Sequence, residues 1–290
     1  MDLDLEPVSE TLFLPLYALA LESQSKHPLI VDSEAVALTR RLNEVFRGSD
    51  RPLYRRLTRG DLPKTLVTTL SMRIRKYDAY VREFLERSPE AVVVNLGCGL
   101  DDRRRRVDNG LMSWYDLDLP EVIALRKRFL TESDRFRFIG ASVLDFEWLN
   151  QIPRVPGRRV LFVAEGLFMY LQQDAVRALV LELRERYPES ELIAEVANTF
   201  IVRMMRRGLG RSKLRRQFGL SSDVVYHFGI GDSRDLEKWA PGIRLLDDWT
   251  YFDEPEPKLG WTRLFSRWPL FRRAQWTVHY RLGGDLGRTS

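Results

Sequence analysis

The stretch Val94-Asn95-Leu96-Gly97-Cys98-Gly99-Leu100-Asp101 has the residue types and spacing of a cofactor loop. The run Ala91 to Leu96 is short, continuous and β-branched, which reads as a buried parallel strand. A Gly-x-Gly at its end lets the backbone turn tightly and approach a ligand with no side chain in the way. In a dinucleotide-binding G-x-G-x-x-G loop the third glycine would fall at position 102, where this chain has Asp102. An acid at that helix N-terminus repels a pyrophosphate. The loop therefore disfavours NAD, and with it an NAD-dependent oxidoreductase, and favours a cofactor without phosphate such as S-adenosylmethionine. About twenty residues downstream, Tyr115-Asp116-Leu117-Asp118-Leu119-Pro120 places acids where ribose hydroxyls are held. Those acids point to adenosine without choosing its cofactor, and either could instead cap a helix opening at Pro120.

Other residues have both a chemical and a plain reading. Arg73, beside Arg75 and Lys76, reads on its own as a solvated helix face. Glu165 follows the buried run Val160 to Ala164, and a carboxylate at the end of a buried strand needs a cation nearby. His227 is the candidate base if the reaction needs one, and Tyr170, Tyr226 and Phe228 are candidate pocket walls. Cys98, the single cysteine, fills the loop and is no sign of a nucleophile. With His27, His227 and His279 far apart, no metal site is expected. Two basic runs stand out. Most of Arg103 to Arg106 reads as a solvated helix face. Arg203 to Arg216 holds seven basic residues in fourteen positions without an acid. It reads first as solvated surface, next as a means of steering an anionic substrate, and last as an RNA contact.

The elements that must position these residues alternate along the chain. Ser33 to Phe46 and Leu62 to Leu85 have helical spacing, and the first ninety residues read as wholly helical. From residue 91 strands and helices alternate: strands over Leu111 to Leu117, Phe136 to Ile139, Val160 to Ala164 and Glu191 to Val196, with helices over Leu119 to Leu130 and Asp174 to Tyr187. Phe200 to Trp239 reads as a polar helical insertion. Arg244 to Phe252 and Ala274 to Leu282 form a closing hairpin. The expectation is an α/β, Rossmann-like doubly wound sheet of seven strands, mostly parallel with one antiparallel strand. A helical lid occupies residues 1–90, and the cofactor-binding domain, residues 91–290, carries an insertion at about 200–240.

Composition bounds the rest. At 44% hydrophobic and 30% charged, the 290-residue chain is globular, not fibrous or disordered. Its net charge of +5 is carried by 39 Arg and 7 Lys and does not by itself imply nucleic acid. The longest apolar run, Leu12 to Leu21, is broken by Pro15 and is about half of a bilayer span. No membrane partner is expected. The acidic start Met-Asp-Leu-Asp-Leu-Glu is unlike a leader peptide, which suggests the cytoplasm.

Taken together, four landmarks resemble the leucine carboxyl methyltransferase family, including its tetracenomycin-type polyketide O-methyltransferases. They are Leu96-Gly97-Cys98-Gly99-Leu100-Asp101-Asp102-Arg103, close to L-G-A-G-L-D-T-R; Asp118-Leu119-Pro120-Glu121-Val122; Phe138-Ile139-Gly140-Ala141-Ser142-Val143-Leu144-Asp145; and Ala164-Glu165-Gly166-Leu167-Phe168-Met169-Tyr170-Leu171. Arg73, five residues before Asp78, matches the arginine-bearing helix of the family. The resemblance implies that Arg73 pairs with the carboxylate of S-adenosylmethionine, and that Gly97, Cys98 and Gly99 line its methionine and ribose. It further implies that Asp118 binds the ribose, that Ser142 and Val143 flank the adenine, and that Glu165 meets the ammonium. Where many members carry Asp, this chain has Ser142, so the adenine contact can shift to Asp145. The implied activity is O-methylation of a carboxyl or hydroxyl group on a small, polyketide-like acceptor. Methylation of a protein C-terminal carboxylate or of RNA, and a non-catalytic binding module, are the alternatives. The oligomeric state is not legible.

Overall fold

Strand β1 (Val92–Leu96), β4 (Val160–Ala164) and β5 (Ser190–Ala197) are buried along their whole length. Such continuous burial requires a sheet covered on both faces, and that is the arrangement found. The structure is a computed structural model that describes residues 7–208 and 225–283. With β2 (Ser113–Asp118), β3 (Phe136–Gly140), β6 (Ile243–Trp249) and β7 (Gln275–Leu282), one seven-stranded sheet forms in the order β3-β2-β1-β4-β5-β7-β6. The pairs β3-β2-β1-β4-β5 are parallel, while β7 is antiparallel to both β5 and β6. The single antiparallel strand expected from the closing hairpin is present. It lies one place in from the edge, because β6 takes the outer position.

The helices are α1 (Phe13–Ser23), α2 (Ser33–Phe46), α3 (Pro52–Thr58), α4 (Lys64–Arg87), α5 (Arg103–Val107), α6 (Pro120–Arg126), α7 (Gln173–Arg186) and α8 (Thr199–Arg206). On one face of the sheet, Val176, Leu179, Val180 and Leu183 of α7 pack on Val92, Val94 and Phe162. On the other, Tyr77, Tyr80, Val81 and Phe84 of α4 pack on Val93, Trp114 and Leu161. Helices α1 to α3 build a separate core around Phe13, Phe46 and Tyr54, whose rings lie 4.1 to 5.7 Å apart. Leu70 and Ile74, in the first half of α4, join that second core. One helix therefore serves both.

Two sequence expectations are corrected here. Residues 200–240 are not continuously helical: α8 ends at Arg206, and the segment resumes at Val225 as extended chain. His227 N–H donates to the Met169 carbonyl at 2.7 Å and Ile230 N–H to Ala197 at 2.9 Å. Those bonds use the donors that a helix would need. Residues 209–224, with Arg211, Lys213, Arg215 and Arg216 of the basic run, lie outside the described residues. The connection between β6 and β7 is also more structured than read, with a 3-10 segment over Pro257–Arg267 and a short helix over Pro269–Arg272. Among the described residues no helix is long and apolar enough to cross a membrane.

At the amino end of the sheet, Glu191 is wholly buried and fully partnered. Arg87 holds both its oxygens at 3.0 Å, Arg159 adds a bond of 2.9 Å, and the His279 ring lies at 2.7 Å. Burial alone would raise this carboxyl, but the bonds from His279 and Arg87 bring it down to about 2.

Candidate active site

The strands deliver Gly97, Asp118, Ser142 and Glu165 just beyond, or at, the carboxyl ends of β1, β2, β3 and β4. Strand order reverses between β1 and β4, and in an open sheet the crevice at that switch point is where ligands bind. The glycine loop is a tight, strained turn. Gly97 and Gly99 have φ of +66° and +54°, which L-residues rarely adopt. The N–H groups of Gly97 and Cys98 return to the Leu117 carbonyl at 2.8 and 3.2 Å, so the loop folds back on the end of β2.

The two aspartates of β2 have different duties. Asp116 is buried and structural: it accepts from Asn95 Nδ2 at 3.0 Å and Trp114 Nε1 at 2.8 Å, and pairs with Arg126. Arg126 also donates to the carbonyls of Gly99 and Asp101 at 2.9 and 3.1 Å, bracing the loop from behind. Asp118 accepts from the N–H of Gly99 and of Leu119, each at 2.8 Å, and is half-buried. Burial raises its carboxyl, against the pull of those two bonds. Each oxygen keeps a lone pair, so Asp118 rather than Asp116 can meet a hydroxyl pair.

Arg73 projects from the middle of α4 to the ends of β4 and β5. Its Nε donates to Glu165 and its Nη1 to Glu195, each at 2.7 Å. Burial works against its charge, but Glu195 and then Glu165 more than restore it, so the guanidinium stays protonated. Glu195 also accepts from the Tyr251 hydroxyl at 3.1 Å. Glu165 has its other oxygen on Arg103, which holds Asp78 at 2.8 Å. Arg106 completes the cluster on Asp32, Asp78 and Asp101, at 2.6 Å in each pair.

The linked set thus holds three buried guanidiniums, Arg73, Arg103 and Arg106, against five carboxylates: Asp32, Asp78, Asp101, Glu165 and Glu195. Arg82, half-exposed, touches its rim at 4.0 Å from Asp78. With or without Arg82 the cluster is short of positive charge. Beside it Gly166, with φ of +64°, leaves a hollow: a Cβ there would stand 3.6 Å from Arg73 Nη2 and 3.7 Å from Glu195 Oε2. Nη2 takes part in neither of the two glutamate bonds. The arrangement can hold a group bearing both a carboxylate, for Nη2, and a cation, for the surplus negative charge.

The remaining expected residues fall as follows. Val143 is buried, its carbonyl accepting from Trp148 Nε1 at 3.1 Å. Ser142 Oγ accepts from Leu144 N–H at 3.2 Å, and Asp145 caps the next turn through Glu147 N–H at 3.3 Å. Cys98 is buried and its thiol is pushed up by burial, so it stays protonated. His227 is tied by its backbone to Met169, with its ring Nδ1 buried and without a hydrogen-bond partner. No described hydrogen bond joins it to the carboxylate cluster. Tyr170 and Tyr226 meet edge to face at 5.6 Å, and Gln275 donates to Tyr226 at 3.2 Å. Phe228 is core, against Phe168, and not a pocket wall.

Glu195, Tyr251 and Arg126 were missed by sequence reading, and Asp78 served there only as a spacing mark for Arg73 with no role of its own. The reading of most of Arg103 to Arg106 as a solvated face is corrected at Arg103 and Arg106, which turn inward into ion pairs, while Arg105 is exposed. Asp102, the acid in place of a third glycine, is buried at the start of α5. Its carboxyl oxygens are buried without a hydrogen bond, Arg104 stands off at 3.6 Å, and burial raises it to about 6.

Residues 14–183 match the family described as leucine carboxyl methyltransferase. The chain is 34% identical over 249 residues, 86% of its length and 84% of the relative's, to the tetracenomycin polyketide synthesis O-methyltransferase TcmP of Streptomyces glaucescens. It is 27% identical to the S-adenosyl-L-methionine-dependent methyltransferase dpfgK of Gibberella zeae, across 96% of this chain and 92% of that one. Among solved structures, a DUF574 family protein from Streptomyces avermitilis superposes with a TM-score of 0.53 at 13% identity, over 93% of this chain and 96% of that one. That superposition supports the fold.

Proposed function

The chain belongs to the leucine carboxyl methyltransferase family, and from that premise we propose that it is an S-adenosylmethionine-dependent O-methyltransferase acting on a carboxyl or hydroxyl group of a small, polyketide-like acceptor. The observation that carries the reading is Arg73, buried and fixed between Glu165 and Glu195 at 2.7 Å each beside the Gly166 hollow. An anion-binding edge next to surplus negative charge fits an amino-acid zwitterion attached to a sulfonium. When bound, the cofactor supplies an electrophilic methyl group. Arg73 Nη2 would hold its carboxylate, Glu165 and Glu195 its ammonium, Asp118 its ribose hydroxyls, and Gly97, Cys98 and Gly99 would line the approach. Ser142 and Val143 would flank the adenine. Holding both ends of the zwitterion fixes the line of displacement, and positioning of this kind supplies much of a methyl transfer.

The groups around the cluster keep their protons. Burial, and then the nearby Glu195 charge, hold the phenols of Tyr170 and Tyr251 above their ordinary range; Tyr226 is raised by burial, then by Tyr170 and Glu195. Glu165 and Glu195 are engaged with arginine. An acceptor that is already a carboxylate needs no base, whereas a hydroxyl acceptor would turn to His227. The helices of residues 1–90 would act as the lid. Leu12 supports this, its side chain lying 3.8 Å from the position of a Cβ on Gly99, as does Thr11 through its bond to Tyr170.

Parallel calorimetric titrations with S-adenosylmethionine, S-adenosylhomocysteine and NAD test the reading: the first two bind and NAD does not. Binding of NAD alone overturns it. Methyl transfer to aromatic carboxylic acids that stays flat from neutral to alkaline pH identifies a carboxylate acceptor. A rate that climbs with pH identifies a hydroxyl.

A further inference from the structure

The connection from β6 to β7 begins in the site and ends on the surface. Tyr251 reaches Glu195, and Glu254 pairs with Arg75 at 2.5 Å, but beyond Pro257 the segment turns outward. Because Ala197 of β5 pairs with Gln275 of β7, the segment closes at the carboxyl end of the parallel strands, the same end as Glu165 and Asp118. Trp261, Leu264 and Trp268 are 69, 72 and 58% exposed, and Phe271 is half-exposed. Their spacing of three, four and three residues is helical, and Leu259 turns inward into the core. Asn198 N–H donates to the Ala274 carbonyl at 3.0 Å, which brings α8 and its exposed Phe200 alongside.

Between Pro257 and Gln275 there are five basic residues and no acid. Lys258, Arg272 and Arg273 pair with Glu22, Asp253 and Asp248. Arg263 and Arg267 make no ion pair among the described residues. Large aromatic and aliphatic side chains in water, interleaved with unneutralised arginines on short helices, are the composition of a segment that lies in a lipid interface. A second copy docked face to face would set Arg263 and Arg267 against their own copies, whereas an anionic surface answers them. We propose that residues 257–273, with Phe200, form a docking face for an anionic lipid surface. It turns the carboxyl end of the sheet, and the mouth of the site, toward the bilayer. Among the described residues no helix is long and apolar enough to cross a membrane, and the association proposed is with the surface alone. A hydrophobic acceptor dissolved in lipid would then reach the site without crossing water.

The test is sedimentation of the full chain with vesicles of phosphatidylcholine containing about a quarter phosphatidylglycerol, and with pure phosphatidylcholine, at low and high salt. The expected result is binding to the anionic vesicles, weakened by salt, with a blue shift of tryptophan fluorescence. Arg263→Glu/Arg267→Glu and Trp261→Ser/Trp268→Ser should each lower vesicle affinity tenfold or more while the melting temperature and S-adenosylhomocysteine binding stay at the parent values. Equal binding to neutral vesicles, no binding at all, or undiminished binding by the charge-reversed variant overturns the proposal. So does self-association, or capture of an acidic protein, that the tryptophan variant abolishes in the absence of vesicle binding.

Discussion

The two ends of the sheet treat buried charge in opposite ways. At the amino end one buried carboxylate, Glu191, is held by two arginines and a histidine, so both its oxygens are partnered, and the spare positive charge of the part-exposed arginines faces water. At the carboxyl end three buried arginines face five carboxylates, beside a glycine hollow. Ion pairs are not in themselves a mark of function, since both ends are built of them. What separates the ends is closure: the amino-end cluster is satisfied within the fold, and the carboxyl-end cluster, in the function proposed above, is completed by a ligand of the missing sign.

Removing the central cation of the unbalanced end should have the largest effect. Arg73→Ala is expected to weaken S-adenosylhomocysteine binding by about a thousandfold, roughly 4 kcal/mol, as read by calorimetry. An unchanged affinity would erase the contrast between the two ends. Glu191→Gln should do the converse, lowering stability by about 3 kcal/mol in denaturant titration with no change in cofactor affinity. The same group sets an acid limit. Its folded pKa, about 2, lies below its unfolded value, so its contribution is complete above the unfolded pKa and disappears as pH falls toward 2. Melting curves of parent and variant should therefore converge at the acid end.

A subtler probe is Gly166→Ala. Its φ of +64° strains any L-residue, and the new methyl group enters the hollow beside Arg73 and Glu195. Binding should fall about thirtyfold, roughly 2 kcal/mol, with the circular dichroism spectrum retained. The smallest effect is expected at Asp102. Its carboxyl is raised to about 6 by burial, so stability is lost as pH rises from the unfolded value through 6. Asp102→Asn should stabilise by about 1 kcal/mol at pH 8 and by almost nothing at pH 4, with thermal melts at both pH values deciding.

The fold was legible wherever neighbours in sequence determine the structure. Val92 to Leu96 can only be a buried strand, and the Gly97 and Gly99 turn follows from residue type. Alternation then points to a parallel sheet, though not to the order of its strands. The site was legible only in its local half. Arg73 and Glu195 are 122 residues apart and meet solely because α4 crosses the ends of β4 and β5. Within β5, Glu195 sits in an unbroken buried run that gives no sign of a partner. Arg103 to Arg106 misled for a related reason, since four arginines in a row look solvated until Asp78 and Asp101 are brought to them. In 200–240, polar spacing alone could not tell a helix from chain tied edgewise to Met169 and Ala197.

Helix α4, which carries Arg73 and belongs to both hydrophobic cores, limits how this enzyme can be recombined. A chimera joined near residue 90 would exchange the arginine together with the cap and set a foreign helix against Glu165 and Glu195. A junction in the turn at Gly60 to Pro63, between α3 and α4, would leave the charge cluster intact except at Asp32, which α2 brings from the cap side. A graft that keeps Arg73 against Glu165 and Glu195 is thus confined to the first sixty residues.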